Sequence, residues 1–173
     1  DLSSQITSTA KTQLLQQGLL SYGASGWWTA TANVQTYQTL QPDPQNPVTK
    51  PYRLLPQITV NARQPDLYFT DSAFFGQYTS FVSPNTNQVE GQRTVLQPQV
   101  SLPFVTPAWY VIPRVGVNVT HYSLSDPVAG SVLPNSINRT LPIFSVDSGM
   151  TFERPSNWFG RDYTQTLEPR LFY

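Results

Sequence analysis

Arg93-Thr94-Val95-Leu96-Gln97-Pro98-Gln99-Val100-Ser101-Leu102-Pro103-Phe104 decides how the chain folds. Side chains along a strand point alternately to two faces. Here Val100, Leu102 and Phe104 share one phase, while Gln97, Gln99 and Ser101 share the other, which Arg93 joins. The segment therefore reads as a long β-strand with one apolar face and one face of amides and hydroxyls.

The same two-residue period extends in both directions. Strands are predicted over Gln13–Tyr22, Trp27–Leu40, Arg53–Arg63, Leu67–Val82, Arg93–Phe104, Trp109–Ser123, Arg139–Phe152 and Tyr163–Tyr173. Sixteen Pro and nine Gly argue against helices; only Ser8–Gln17 has little breaker chemistry and leaves a helix admissible. Most of these strands run ten to sixteen residues. Ordinary strands average about five or six, whereas a tilted strand crossing a bilayer needs about nine to eleven.

Connections alternate in length. Gly23–Gly26, Gln64–Asp66 and Val105–Ala108 are short; Gln41–Tyr52, Ser83–Gln92 and Leu124–Asn138 are long. Short turns on one side and long loops on the other are the habit of outer-membrane barrels. Glu153–Asp162 falls where a short turn is due and reads as long. Leu55-Pro56-Gln57-Ile58-Thr59-Val60 and Gln97-Pro98-Gln99-Val100-Ser101-Leu102 form a weak repeat that fits successive hairpins. Proline cannot donate to a sheet ladder, so Pro56, Pro98, Pro142 and Pro169 predict bulges or ladder breaks.

Phase sorts the charges. Trp28, Ala30, Ala32 and Val34 oppose Thr29, Thr31, Asn33 and Gln35; Ile58, Val60 and Ala62 oppose Gln57, Thr59, Asn61 and Arg63. Val111, Val115, Val117 and Val119 oppose Arg114, Asn118 and Thr120; Phe144, Val146, Met150 and Phe152 oppose Ser145, Asp147 and Thr151; Leu167 and Leu171 oppose Thr164, Thr166, Glu168 and Arg170. Arg63, Arg93, Arg114, Asp147, Glu168 and Arg170 thus all share the polar phase. A charge on a lipid face costs about 2–4 kcal/mol at mid-bilayer for Arg or Lys, which explains the segregation. The six are candidates to line a barrel lumen. The fourth strand, with Phe69, Asp71, Phe74, Phe75, Tyr78 and Phe81, has no clean phase. Aromatics gather near strand ends, and Trp27, Trp28, Trp109, Tyr110, Trp158 and Tyr163 are candidates for a membrane-interface girdle.

Composition narrows the classes. Charged residues make up 12% of the chain, against about 25% in ordinary soluble domains. The apolar fraction is 39%, and no apolar run is long enough for a transmembrane helix. A net charge of zero gives no electrostatic reason to expect nucleic acid. There is no Cys and one His, His121, so no zinc site or cofactor is expected, and no spacing of carboxylates points to catalysis. A soluble β-sandwich also alternates apolar-in and polar-out. A sandwich binding domain of a secreted surface protein and a porin-like channel therefore stay open beside a larger transport barrel. The chain starts at Asp1 without a leader and stops at Tyr173 within a strand-like run. The expectation is a partial barrel segment spanning residues 1–173 of a larger protein.

One motif adds a family. Phe159-Gly160-Arg161-Asp162-Tyr163-Thr164-Gln165-Thr166-Leu167-Glu168-Pro169-Arg170-Leu171-Phe172-Tyr173 resembles the most recognisable segment of the LPS-assembly protein family LptD, also called organic solvent tolerance proteins. The family pattern reads close to Tyr-Thr-Gln-Thr-Leu-Glu-Pro-Arg, unbroken here from Tyr163 to Arg170. Leu96–Pro103, Thr120-His121-Tyr122 and Arg139–Pro142 add support. The resemblance implies an all-β antiparallel meander of about eight long strands within a large transmembrane barrel of the bacterial outer membrane. It implies a periplasmic N-terminal domain that receives lipopolysaccharide from a periplasmic bridge, a plug lipoprotein, LptE, in the lumen, and delivery to the outer leaflet without enzymatic activity. The family's lateral gate lies between its first and last barrel strands, so no gate residues are assigned here.

Overall fold

The computed structural model describes all residues except 1–12, 25, 41–44, 46–48, 86, 87 and 126–133. The described chain is all-β. In order come β1 (Gln13–Ala24), β2 (Trp28–Thr39), β3 (Arg53–Leu67), β4 (Thr70–Val82), β5 (Glu90–Ser101), β6 (Phe104–Val105), β7 (Trp109–Ser125), β8 (Ser136–Met150), β9 (Phe152–Trp158), β10 (Arg161–Leu167) and β11 (Arg170–Phe172). One antiparallel sheet runs β1-β2-β3-β4-β5-β7-β8-β11, with β6 also on β7, and β9 pairs with β10. This is the expected meander of about eight long strands. Gln13–Gln17, where a helix was admissible, is strand.

Two sequence expectations need correction. The segment Glu153–Asp162 is not a loop. β8 continues into β9 and β10 into β11, and one constant register runs from Asp147↔Phe172 to Trp158↔Arg161. Phe159 (φ 52°) and Gly160 (φ 75°) close this long hairpin. Two positive φ values mark the tight turn whose twist matches that of its strands. The predicted strand Tyr163–Tyr173 is accordingly two segments, interrupted at Glu168-Pro169 because proline cannot donate. The apparent exception to the alternation of connection lengths is thus itself a two-residue turn.

The second correction moves a turn. The β3–β4 connection is not Gln64–Asp66 but Tyr68-Phe69, again with positive φ (50° and 70°) and with Asp66 at a register shift. Aromatic turn residues carry none of the Asn-Gly chemistry that announces such a turn in sequence, so the strand boundary was set about three residues early.

Prolines lie where the ladder allows them. Pro56 sits in the shift between Leu54 and Gln57. Pro98 faces the gap between the Leu96↔Val119 and Gln99↔Gly116 pairs. Pro142 pairs with Val117 and lies beyond the reach of β11 on its other side.

Burial is inverted relative to a packed domain. Among the described residues no hydrophobic side chain is buried, and the buried polar ones are Asn33 (8% exposed), Thr79 (0%) and Ser101 (7%). On β5 the alternation is direct: Leu96 and Val100 are exposed, while Arg93, Gln97 and Gln99 are half-buried and Ser101 is buried. The more covered face of the sheet is its polar one.

Candidate functional site: the polar face of the sheet

Directly paired residues of neighbouring strands point to one face, so the ladder registers fix which side chains are together. Starting from Arg63, the pairs Arg63↔Ala73, Ala73↔Gln99 and Gln99↔Gly116 carry the polar face from β3 to β7. Thr79↔Arg93, Asp71↔Ser101, Ser101↔Arg114 and Ile112↔Asp147 place Arg93, Asp71, Arg114 and Asp147 on it too. Gly149↔Arg170 adds Arg170, whose Nε and Nη2 bond Asp147 at 2.8 and 2.6 Å. Glu168 lies in the break between β10 and β11, exposed and outside the ladder. Arg170 pairs with Asp147 instead, the one salt bridge among the described residues.

Toward the long-loop end, amides and hydroxyls link strand to strand. Gln17 Nε2 donates to Asn33 Oδ1 at 2.9 Å, Asn33 Nδ2 to Gln57 Oε1 at 3.4 Å, and Gln57 Nε2 to Thr79 Oγ1 at 3.4 Å. Arg93 Nη2 donates to Gln77 Oε1 at 2.7 Å, and its guanidinium lies 5.6 Å from the Phe81 ring centroid. These links explain why Asn33, Gln57 and Thr79 tolerate their cover, since each has a partner; the buried Arg93 Nε has none. They also orient β4, which sequence phase left open. Asp71, Ala73, Phe75, Gln77, Thr79 and Phe81 face the polar side, and Phe74 and Tyr78 face away.

Toward the short-turn end, Arg63, Asp71, Arg114, Asp147 and Arg170 form a row of alternating charge. Traced through the ladders onto β7, they sit level with residues 116, 114, 114, 112 and 110, a descent of six residues over five strand steps. At a rise of about 3.3 Å per residue and a spacing of about 4.8 Å per strand, this slope is about 40°. Such a row is perpendicular to the axis of a barrel whose strands tilt by about 40°, within the usual range of about 35–45°. The short turns step down in the same direction.

The aromatic candidates divide. Trp28 and Trp109 lie on the apolar face, level with Ala62 and Met150, and Trp27 sits in the β1–β2 turn. Trp158 and Tyr163 belong to the β9–β10 hairpin. Tyr110 is different. It shares parity with Arg114 and its ring packs over Gly149, so it lies on the face of the charged row rather than in an outward girdle. His121 Nδ1 lies 2.6 Å from Asn138 Oδ1 in a cross-strand pair, a structural contact. Asp71 and Thr79 escaped sequence reasoning because β4 could not be oriented. Tyr110 was legible from its parity alone.

Of the motif, Tyr163, Thr164, Gln165, Thr166 and Leu167 form most of β10, Glu168 and Pro169 make the break, and Arg170 opens β11. Gln165 Oε1 accepts from Arg154 Nε at 2.8 Å, and Pro169 O accepts from Met150 N at 3.1 Å.

Fold and face together define a class: an antiparallel strand meander turned inside out, with polar buried side chains and apolar exposed ones. Comparison with known proteins gives this class a family. The model described as LPS transport system D, LptD, matches residues 1–173. The chain is 50% identical to the LPS-assembly protein LptD of Azoarcus sp. (strain BH72), over all of this chain and 21% of that protein. Against the LptD proteins of Aromatoleum aromaticum and Ralstonia nicotianae, identity is 45% and 42%, over all of this chain and 21% and 22% of theirs. The chain belongs to the LptD family. It spans about a fifth of the length of these curated relatives.

Proposed function

We propose that this chain is a section of the wall of an outer-membrane β-barrel that delivers lipopolysaccharide to the outer leaflet. The observation that carries this reading is the inverted sheet: among the described residues the buried side chains are polar, and large apolar ones such as Leu96, Val115 and Phe144 are exposed. A soluble sandwich buries its apolar face against a second sheet; lipid takes that place in a barrel wall. The slope of the charged row supports the same geometry, and family membership supports lipopolysaccharide as cargo.

On this reading Arg63, Arg93, Arg114, Asp147 and Arg170 face the lumen, toward the plug lipoprotein LptE or water. Glu168 faces it at the rim. Trp27, Trp28 and Trp109 mark a membrane interface at the short-turn end, with Trp158 and Tyr163 on the hairpin beyond. The periplasmic lipopolysaccharide bridge engages a domain outside this segment. The role is transport, and no residue is assigned a catalytic step.

The test is depletion of the full-length protein in its host, followed by labelling of surface lipopolysaccharide. Loss of newly made lipopolysaccharide from the cell surface, with accumulation inside, is the expected outcome. Undiminished surface delivery would contradict it.

A further inference from the structure

Arg63 and Arg114 reach from β3 and β7 into one cavity of about 260 Å³, also lined by Asp71, Gln99 and Ser101. Elsewhere in the charged row the cation is spent, since Arg170 holds Asp147 through two short bonds. Arg63 and Arg114 are not spent: among the described residues neither guanidinium makes a hydrogen bond or an ion pair. Asp71, the one carboxylate of the cavity, accepts the Asp66 backbone N–H at 3.1 Å and lies beyond ion-pair distance of both arginines. Two cations and one anion leave the cavity one positive charge in excess.

We propose that this cavity is an oxyanion site, taking one phosphate or carboxylate group between the two guanidiniums. Each guanidinium offers five N–H donors in a rigid planar fork, and that fork matches the oxygen spacing of phosphates and carboxylates. The Gln99 amide supplies a further donor level with Arg63, while the buried Ser101 hydroxyl donates to the Asp71 backbone carbonyl at 3.5 Å. The volume is below the roughly 300–1,000 Å³ of sites that enclose whole small molecules. The cavity therefore suits the charged group of a larger ligand, or a small free anion. The site rests on the geometry of the polar face and not on the transport reading.

The test is line broadening in ³¹P nuclear magnetic resonance. Inorganic phosphate and, separately, glucose 1-phosphate are titrated against the full-length protein in phosphate-free detergent micelles. Broadening by the wild type is expected, with affinity falling at least about ten-fold in Arg63→Gln and in Arg114→Gln. Asp71→Asn removes the competing carboxylate and is expected to tighten binding several-fold, a gain that a merely structural role would not give. Arg93→Gln, at the other end of the face, serves as the control. Broadening by inorganic phosphate alone assigns the site to a free anion; broadening by the ester, alone or beside phosphate, assigns it to a group that a larger ligand can carry. The proposal is overturned if the folded wild type broadens neither probe. It is equally overturned if the folded double variant Arg63→Gln/Arg114→Gln binds as well as wild type, or if Asp71→Asn binds more weakly.

Discussion

Asn33 shows at the scale of one residue how this sheet is held. It is nearly buried, accepts from Gln17 and donates to Gln57, so both halves of its amide are used. Asn33→Leu leaves the half-buried Gln57 amide oxygen without its donor at a cost of about 1 kcal/mol, while the exposed Gln17 turns to water. Chemical denaturation of the full-length protein in micelles should show that loss. Ala30, three residues earlier, lies on the opposite face beside Tyr22 and Val60. Ala30→Leu should be nearly neutral in the same assay, because lipid accommodates a larger side chain, whereas overpacking a protein core costs about 1–3 kcal/mol. A marked destabilisation by Ala30→Leu would mean that protein covers this face. Parity made the faces of Asn33, Arg63, Arg93, Arg114 and Asp147 legible in the sequence, because a period of two leaves only two choices. It failed on β4, where Phe75 and Phe81 stand among the polar set. Phe81 is held there by the Arg93 guanidinium and by an edge contact from Tyr52 at 6.4 Å, contacts that no periodicity encodes.

At the scale of elements, the turns were the hardest part to read. Tyr68-Phe69 and Phe159-Gly160 both adopt positive φ, and Tyr68, Phe69 and Phe159 are 88%, 91% and 99% exposed. Bulky residues are rare in that conformation, so sequence signals placed one turn too early and took the other for part of a loop. The β9–β10 hairpin extends past the β7–β8 ladder, which ends at the Thr151 N to Ala108 O bond. Two strands without further neighbours are marginally stable, so the closing turn matters. Gly160→Ala forces a side chain into the left-handed region at about 1–2 kcal/mol. Hydrogen exchange at the β9 and β10 amides should accelerate by roughly ten-fold, while the β3–β5 amides keep their protection. Unchanged exchange in the hairpin would show that contacts elsewhere, not the turn, hold it.

At the scale of the molecule, the meander and the alternation of short and long connections were readable because long strands repeat one signal many times. The conformations of the long connections fall largely outside the described residues. What the sequence alone could not separate was an apolar face toward lipid from an apolar face toward a second sheet, since both give the same alternation. The open sheet also leaves edges at β1 and along β8 beyond β11, and lipid does not tolerate unpaired backbone. Residues 1–173 expressed alone should therefore aggregate in detergent-free buffer; a monodisperse monomer with cooperative β unfolding would contradict a barrel section. The most direct measurement is spin-label accessibility in the full-length protein reconstituted in bilayers, with labels at Val100 and Val115 on one face and Gln97 and Asn118 on the other. The inverted sheet predicts strong relaxation by oxygen and shielding from a water-soluble nickel chelate at Val100 and Val115, with the opposite preference at Gln97 and Asn118. Labels at Val100 and Val115 shielded from both reagents would place protein, not lipid, against the apolar face and would contradict it.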